Sequence, residues 1–311
     1  MKILIELPTW LGDTVMATPA IENIISHYNK PEITIVGSFV SIEVMKKHPL
    51  VFKAKVLKKN YISSYKIAKN LGKFDVYFSF RGSFRSRVIK LLISSKKKYQ
   101  FDRNKYQNFH QVEKYNHFVN DCLNTNFIVG KLNINFNLNH KISLSKSAPI
   151  LGINPGASYG NAKCWSVEEF AEVGAKLSTL YDIYIFGGPG DEALASDIEK
   201  LLVEKGVSNY LNLSGKTSIS RLVEYISNLD LFITGDSGSM HLAASFQVPT
   251  VAIFGPTRDS ETSQWMNSKS MIVKKKLDCQ PCMKRTCPLM HHNCMNLIKA
   301  EDVLKAVNAL N

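Results

Sequence analysis

The sequence contains no apolar run that approaches the roughly 18 residues required to span a bilayer. Its 6 cysteines are too few to form a disulfide scaffold in a chain of 311 residues. A secretory signal is also missing, because the first strand-like segment, Lys2–Glu6, leads into a turn and not into a cleavage site. The 45% of hydrophobic residues exclude a disordered chain. We therefore expect a soluble cytoplasmic protein with reduced cysteines.

Acidic residues are scarce in the first half of the chain. Residues 51–100 contain 14 Lys and Arg but one acid, Asp75, and residues 1–150 contain 24 basic residues against 9 acidic ones. Residues 151–311, with 15 basic and 17 acidic residues, are nearly balanced. A strongly basic domain indicates an anionic partner, which could be nucleic acid, acidic lipid or a phosphorylated substrate.

The basic residues of the first half fall into two kinds. Scattered lysines such as Lys53 and Lys55 are interpreted as a solvated surface. Arg81, Arg85 and Arg87 instead follow a predicted strand at a spacing that lets their guanidinium groups converge on a phosphate. Arg81 and Arg85 are therefore our candidates for contacts with an acidic substrate.

Short apolar segments alternate with amphipathic segments of 10–15 residues in both halves, a pattern that predicts βαβ units and parallel sheets. We expect strands at Lys2–Leu7, Glu32–Val36, Phe74–Phe80, Ile150–Asn154, Ile183–Phe186, Leu211–Leu213, Leu231–Thr234 and Thr250–Phe254. Helices are expected from near Thr14, Ser41, Tyr61 and Phe84, and at Val167–Leu180, Glu192–Lys205, Ser220–Leu229 and Ser239–Phe246. The predicted fold is α/β, with two doubly wound Rossmann-like domains whose parallel sheets face a central cleft.

The boundary between the two domains is expected in Asn133–Pro149, which lacks a helical period and is rich in Asn, Ser and Lys. We accordingly assign residues 1–145 to the first domain and residues 146–311 to the second. The final helical segment, Ala300–Leu310, is a candidate to pack back onto the first domain.

Asp13 stands after the first strand, in a turn opened by Gly12. Two interpretations are equally supported by its position. As a helix N-cap, Asp13 needs no chemistry to explain it. As a carboxylate at the floor of a cleft, it could act as a general base.

Three strand ends of the second half are rich in glycine and serine. Residues 154–158 form a turn that precedes Lys163, and such a turn can hold an anion through backbone N–H groups. Residues 186–192 lack the spacing of a dinucleotide fingerprint, so a plain strand–helix turn is favoured there. The strongest signal is Thr234–His241, because the N-terminus of a helix that opens with Ser and Gly favours a pyrophosphate.

Several short motifs occur in an order that resembles the heptosyltransferases of glycosyltransferase family 9. They are Leu11-Gly12-Asp13, Pro19-Ala20, Asn154-Pro155-Gly156 with Lys163-x-Trp165, Gly187-Gly188, Ser214-Gly215-Lys216-Thr217, Asp236-Ser237-Gly238-x-x-His241 and Phe254-Gly255-Pro256-Thr257. The resemblance spans nearly the whole chain. The stretch from Asp278 to Cys294 is most similar to the family branch that adds the second heptose of the bacterial lipopolysaccharide inner core.

The resemblance implies a GT-B architecture and a role for each matching residue. Asp13 matches the general base of an inverting transfer from ADP-heptose to a heptose hydroxyl of the acceptor. The implied donor site consists of Ser158, Lys163, Glu192, Gly215, Lys216, Asp236, Ser237, Gly238 and His241. In that site Lys163 and residues 236–241 hold the diphosphate, Glu192 contacts the ribose, and residues 214–217 pass the adenine.

The same resemblance implies a phosphorylated or acidic lipid A–core acceptor at the cytoplasmic face of the inner membrane. We expect the enzyme to act there as a peripheral protein and a monomer. Two alternatives remain: a family member that transfers another sugar or adds the first heptose, and a protein that binds nucleic acid through its basic half. The nucleic-acid alternative is disfavoured, because the basic stretch contains no recognisable RNA or DNA module.

Four cysteines, Cys279, Cys282, Cys287 and Cys294, lie within 16 residues and begin with a C-x-x-C pair. Such a cluster could hold zinc or an iron–sulfur group. The later spacings are less typical of paired metal-binding knuckles, and the implied transfer requires no metal. We therefore expect no cofactor and favour a compact thiol-rich loop near the cleft.

Overall fold

A computed structural model describes residues 1–58, 60–135 and 148–310; the side chains of residues 61–64 are not part of that description. The chain divides into two compact units, Met1–Asn137 and Leu138–Asn311. The boundary predicted at residue 145 lies outside the described residues. No helix among the described residues is long and apolar enough to cross a membrane.

The first unit is a five-stranded parallel sheet flanked by helices. Its strands are β1 (Lys2–Glu6), β2 (Glu32–Gly37), β3 (Val51–Val56), β4 (Lys73–Ser79) and β5 (Ser94–Gln100). Its helices are α1 (Leu11–Met16), α2 (Thr18–His27), α3 (Phe39–Met45), α4 (Tyr61–Lys69), α5 (Phe84–Leu92) and α6 (Gln111–Leu123), with a 3-10 turn at Arg103–Lys105. The strand order is β3-β2-β1-β4-β5.

The second unit is a six-stranded parallel sheet. Its strands are β6 (Ile150–Asn154), β7 (Asp182–Ile185), β8 (Tyr210–Asn212), β9 (Leu231–Gly235), β10 (Thr250–Ile253) and β11 (Ser270–Val273). Its helices are α7 (Val167–Leu177), α8 (Glu192–Glu204), α9 (Ile219–Ser227), α10 (Gly238–Ser245), α11 (Asp259–Thr262), α12 (Asn293–Asn296) and α13 (Ala300–Asn308), with a 3-10 turn at Asn161–Lys163. The strand order is β11-β10-β9-β6-β7-β8.

Both strand orders are doubly wound, as the sequence pattern predicts. In each unit the chain builds the sheet outward on one side of its first strand and then returns to build the other side. The reversal lies between β1 and β4 in the first unit and between β6 and β9 in the second. In such sheets ligands bind outside the carboxyl ends of the strands at this switch point.

The central strands are apolar because helices cover both faces of a parallel sheet. All five residues of β6 and of β9 are buried. Gly152 in β6 shows how closely the neighbouring side chains pack: a Cβ atom there would lie 2.5 Å from Cδ1 of Leu229, which precedes β9, and 2.8 Å from Cδ2 of Phe232 in β9. A larger residue at position 152 would force the covering side chains apart.

The last helix belongs to the second unit. Val303, Ala306 and Val307 of α13 are part of the hydrophobic core that includes strands β6, β7, β9 and β10. The amphipathic pattern of the C-terminal segment is thus explained by packing within its own unit. The return to the first domain that the sequence analysis considered is not needed to bury this helix.

Candidate functional site

The switch point of the second unit is organised around Asn154. This residue ends β6 directly opposite Thr234 of β9. Its Nδ2 lies 3.4 Å from both Thr234 Oγ1 and Ser237 Oγ, and it donates to the carbonyl oxygen of Gly156 at 3.1 Å. Ser237 in turn caps α10 by accepting the N–H of Met240. The turn after β6 and the N-terminus of α10 are therefore held side by side.

Because Ser237 is the N-cap of α10, Asp236 is available for another contact. Its Oδ2 accepts a hydrogen bond from Lys163 Nζ at 2.5 Å and one from Thr257 Oγ1 at 2.7 Å. Lys163 Nζ also lies 3.2 Å from the Asp236 carbonyl oxygen. Both side chains of the ion pair are largely buried. Asp236 thus fixes an ammonium group beside the helix N-terminus, and two of its three N–H donors are engaged.

The turn that carries Lys163 is anchored from two sides. Trp165 is buried, and its Nε1 donates to the carbonyl oxygen of Ile298 at 2.9 Å. On the other side Lys163 Nζ lies 4.8 Å from the ring centroid of Tyr159, and the guanidinium carbon of Arg285 lies 5.3 Å from the same centroid. Tyr159 is therefore flanked by two cations, an arrangement that attracts an anionic ligand.

A second group of predicted donor residues lies after β7 and β8. Glu192 begins α8, and its Oε2 accepts the N–H of Gly190 at 2.6 Å. Gly215 has a φ of +69°, and a Cβ atom there would lie 2.6 Å from Glu192 Oε1. A glycine is thus required both by the backbone and by the carboxylate against it. The structure therefore brings Glu192 and Gly215 together.

The remaining predicted donor residues differ in exposure. Ser158 and Lys216 are exposed, and Lys216 Nζ donates to the carbonyl oxygen of Asn212 at 3.0 Å. Gly238 is the first residue of α10 and contributes a backbone N–H. His241 is buried within that helix.

Residues 278–294, the cysteine-rich stretch, pack against the turn that carries Lys163. They also pack against the segment after β10 that carries Thr257. Met283 N donates to Pro256 O at 2.9 Å, and the Tyr159 hydroxyl donates to Met283 O at 2.7 Å. Ala162 N donates to the carbonyl oxygen of Arg285 at 3.1 Å. Through these bonds the stretch joins the carboxyl end of β10 to the Lys163 turn.

The four thiols of this stretch are free. Burial, and after it the charges of Cys282, Cys279 and Cys287, raise the pKa of Cys294 to about 11. Within the described parts of the chain, no group of three or more His, Cys, Asp and Glu side chains is arranged to hold a metal ion.

In the first unit Asp13 lies in the first turn of α1 and is partly buried. The N-cap of α1 is Trp10, so the interpretation of Asp13 as an N-cap is wrong. The carboxylate acts electrostatically on Tyr115 of α6: burial first, and then the charge of Asp13, raises the pKa of Tyr115 well above its usual value. The side chain of Gln111 hydrogen-bonds Tyr115, and the charge of Arg103 opposes the shift.

These neighbours of Asp13 were missed by the sequence analysis. Helix α6 has the apolar period of an amphipathic helix and a capping box at His110 and Glu113. These two features of the sequence could have predicted the helix. Tyr159, Thr257 and Arg285 of the second unit were also missed as site residues. Only tertiary packing brings Arg285, from the cysteine-rich stretch, to Tyr159.

The two candidate arginines have different surroundings. Arg81 follows β4 at the switch point of the first sheet, where its Nη1 lies 3.6 Å from Oε1 of the buried Glu6. Arg85 Nη2 instead donates to the carbonyl oxygen of Lys58, a contact between α5 and the segment after β3. The structure therefore gives Arg85 a structural contact and gives Arg81 a place at the switch point.

The chain is similar to known proteins of one family. The model of glycosyltransferase family 9 (heptosyltransferase) matches residues 65–292. The lipooligosaccharide heptosyltransferase 2 of Campylobacter jejuni serotype O:2 is 43% identical over 100% of this chain and 98% of its own length.

Solved structures share the fold. Heptosyltransferase II of Escherichia coli superposes with a TM-score of 0.81 at 22% identity, covering 100% of this chain and 98% of its own. An E. coli heptosyltransferase solved with ADP gives 0.79 at 14% identity over 100% of both chains. Both of these neighbours carry the two-domain architecture that the sequence predicts. The chain belongs to glycosyltransferase family 9, the heptosyltransferase family, and is a glycosyltransferase with two Rossmann-like units.

Proposed function

We propose that this enzyme transfers L-glycero-D-manno-heptose from ADP-heptose to the first heptose of the inner core of lipooligosaccharide or lipopolysaccharide. The observation that carries the proposal is the 43% identity, over the whole chain, to a protein named lipooligosaccharide heptosyltransferase 2. The presence of ADP in a solved relative supports the choice of nucleotide.

The donor diphosphate is proposed to bind where Lys163 meets the N-terminus of α10. Two N–H donors of the Lys163 ammonium contact Asp236, which leaves the third for a phosphate oxygen. Backbone N–H groups at Gly238 and Ser239 lie at the positive end of the helix dipole. These preorganised groups stabilise the negative charge that develops as ADP leaves, so the transfer needs no metal ion.

Asp13 is proposed as the general base. Its carboxylate takes the proton from the attacking hydroxyl of the acceptor heptose. The oxygen then forms a bond to the anomeric carbon of the donor from the face opposite ADP, while the bond from that carbon to the diphosphate breaks and its electron pair leaves with ADP. One such displacement inverts the anomeric configuration.

A donor panel tests this proposal. The purified enzyme is incubated with a core acceptor that carries one heptose and with ADP-heptose or another nucleotide sugar, and the product is analysed by mass spectrometry and NMR. We expect transfer from ADP-heptose with inversion at the anomeric carbon. Transfer of another sugar at a higher rate would favour the alternative of a family member with a different donor, and retention would exclude Asp13 as the base of a single displacement.

The acceptor is proposed to be lipid-linked and acidic, and the enzyme to act at the cytoplasmic face of the inner membrane as a peripheral monomer. An exposed face of α5 supports the membrane contact. Phe84 and Leu91, 73% and 80% exposed, lie seven residues apart on that face, with the exposed Arg87 between them. Apolar side chains interspersed with cations are typical of helices that lie in a membrane interface.

We expect the protein to sediment with vesicles that contain phosphatidylglycerol, and to do so less at high salt, because screening weakens the attraction of lysines and arginines to anionic lipid. The double change Phe84→Ser and Leu91→Ser should reduce the bound fraction at least several-fold. Neutralising Lys96, Lys97 and Lys98 should mainly lower the salt dependence. Leu180→Ser, an exposed apolar change in the second unit, serves as the control. Equal binding of all variants would contradict a membrane contact through α5.

We also predict that the cysteine-rich stretch contributes packing and holds no resident metal. Elemental analysis of untagged protein, purified without chelators, should find a metal content far below one ion per chain. Treatment with a chelator should leave the melting temperature unchanged. A stoichiometric metal that is lost together with thermal stability would overturn this prediction and assign Cys279, Cys282, Cys287 and Cys294 as its ligands.

A further inference from the structure

A buried polar cluster lies at the switch point of the first sheet, and the donor and base assignments do not use it. Its centre is Glu6, the last residue of β1, whose side chain is 0% exposed. Glu6 pairs in register with Ser79, the last residue of β4. A carboxylate buried at this depth is costly unless hydrogen bonds and a positive charge compensate it. The groups around Glu6 therefore indicate its role.

One oxygen of Glu6 is saturated by hydroxyl groups. Oε2 lies 2.6 Å from the Tyr77 hydroxyl, 2.7 Å from Ser79 Oγ and 2.6 Å from Ser86 Oγ. Burial and the charge of Glu6 raise the pKa of Tyr77 well above its usual value, so Tyr77 keeps its proton and remains a donor. These contacts fix the orientation of the carboxylate from β4 and from α5 at once.

The other oxygen faces Arg81. Oε1 is buried and accepts no hydrogen bond among the described residues. It lies 3.6 Å from Nη1 of Arg81, whose side chain is 14% exposed. That separation is longer than a hydrogen bond, so the contact is an electrostatic one between a fixed anion and a guanidinium group. It supplies the positive charge that the three hydroxyl groups cannot.

The backbone of Arg81 is tied to the same cluster. The N–H of Arg81 donates to Ser79 Oγ at 3.3 Å, and Gln100 Nε2 donates to the carbonyl oxygen of Arg81 at 3.1 Å. Both the side chain and the backbone of Arg81 thus contact the Glu6 carboxylate or its neighbours. A guanidinium group has five N–H donors in a planar fork, and in the described part of the chain the Arg81 guanidinium forms an ion pair with Glu6 and no hydrogen bond.

We propose that Glu6 is a positioning residue, whose buried carboxylate holds the Arg81 guanidinium at the switch point so that its remaining N–H groups bind a phosphate or carboxylate group of the acceptor. This inference rests on the proposed function, in which Arg81 contacts the acceptor. The planar fork of arginine matches the geometry of both anions, and its value depends on orientation. Without Glu6 the guanidinium would keep its charge but lose its fixed direction.

Steady-state kinetics on Glu6→Gln, Arg81→Ala and the double variant tests the proposal. Glu6→Gln removes the charge and nearly preserves the volume. We expect it to raise the KM for the acceptor about tenfold, the range for loss of a charge-assisted contact, and to leave the KM for ADP-heptose unchanged. In the Arg81→Ala background the Glu6 change should have no further effect on the acceptor KM, because the group that it positions is gone.

Glu32→Gln is the matched control. Glu32 begins β2 at the opposite end of the sheet, and among the described residues its side chain forms only a surface ion pair with Lys2. We expect it to leave both KM values unchanged. If Glu6→Gln lowers the melting temperature and kcat but not the affinity for acceptor, or if its effect on the acceptor KM multiplies with that of Arg81→Ala, Glu6 has a structural role only and the proposal is wrong.

Two further arms keep the result interpretable. Tyr77→Phe retains the charge of Glu6 and removes one hydroxyl from Oε2. We expect this variant to fold even if Glu6→Gln does not, and to show a smaller rise in the KM for the acceptor. That rise should be absent in the Arg81→Ala background. Calorimetric titration with a phosphorylated core oligosaccharide needs no turnover. Binding weakened in both the Glu6 and Arg81 variants would support the inference even if the wild-type enzyme transferred no heptose, whereas unaltered binding by both would contradict it.

Discussion

Asp13→Asn should lower turnover by about 10²–10⁴, the range for removal of a general base. The substitution keeps the volume and an acceptor oxygen in the first turn of α1 but cannot take a proton from the acceptor hydroxyl. Because Trp10 and not Asp13 is the N-cap of that helix, we expect little loss of stability. Affinity for ADP-heptose should stay within about twofold of the wild type, since the proposed donor site lies in the second unit.

Asp75→Asn is a suitable control for this prediction. Asp75 is also in the first unit, but its carboxylate accepts hydrogen bonds from Lys96 and from the backbone of Lys2 at the amino end of the sheet. Its removal should leave turnover unchanged. A rate for Asp13→Asn equal to that of the control would show that Asp13 is not the base.

Lys163→Ala should have the second largest effect, a fall of about 10–100-fold in affinity for ADP and about 10²-fold in turnover, because a preorganised donor to the leaving diphosphate is lost. Among the described residues, the change also leaves the buried Asp236 carboxylate with the Thr257 hydroxyl as its remaining side-chain partner, so thermal stability should fall too. Lys163→Arg restores the charge and should recover part of the affinity. His241→Ala should cost less, because His241 is buried inside α10.

Lys200→Ala is the control for the donor site. Lys200 is an exposed residue of α8 in the same unit and pairs with Asp197 one turn away. Isothermal titration with ADP should give the wild-type affinity for this variant. If Lys163→Ala also binds ADP as the wild type does, the diphosphate does not bind at the N-terminus of α10.

The sequence was sufficient for the elements that carry a strong local signal. Strand β6 is a buried apolar run, and its predicted limits are those observed. Strand β9 was recognisable for the same reason, whereas the Ser237 cap of α10 was not predicted. Strand β5 was missed because its sequence, with Lys96, Lys97 and Lys98, contains too many charges for a strand pattern, and it is stabilised by pairing with β4 at the edge of the sheet.

The sequence predicted which strand ends carry the site residues, but it did not predict which of these residues contact one another. Lys163 and Asp236 were both expected to bind the donor, but nothing in the sequence shows that they form an ion pair with each other across 73 residues. Glu6 was not singled out, because a glutamate at the end of a short strand normally lies in a solvated turn. Its burial results from β4 and α5, which bring Tyr77, Ser79 and Ser86 around it.

The central claim is that the enzyme adds a heptose to an acceptor that already carries one. The most direct test is to incubate it with ADP-heptose and two core acceptors, one without heptose and one with a single heptose, and to measure the mass of each product. The account predicts a gain of one heptose on the single-heptose acceptor and none on the other. Addition to the heptose-free acceptor, or no addition to either, would contradict it.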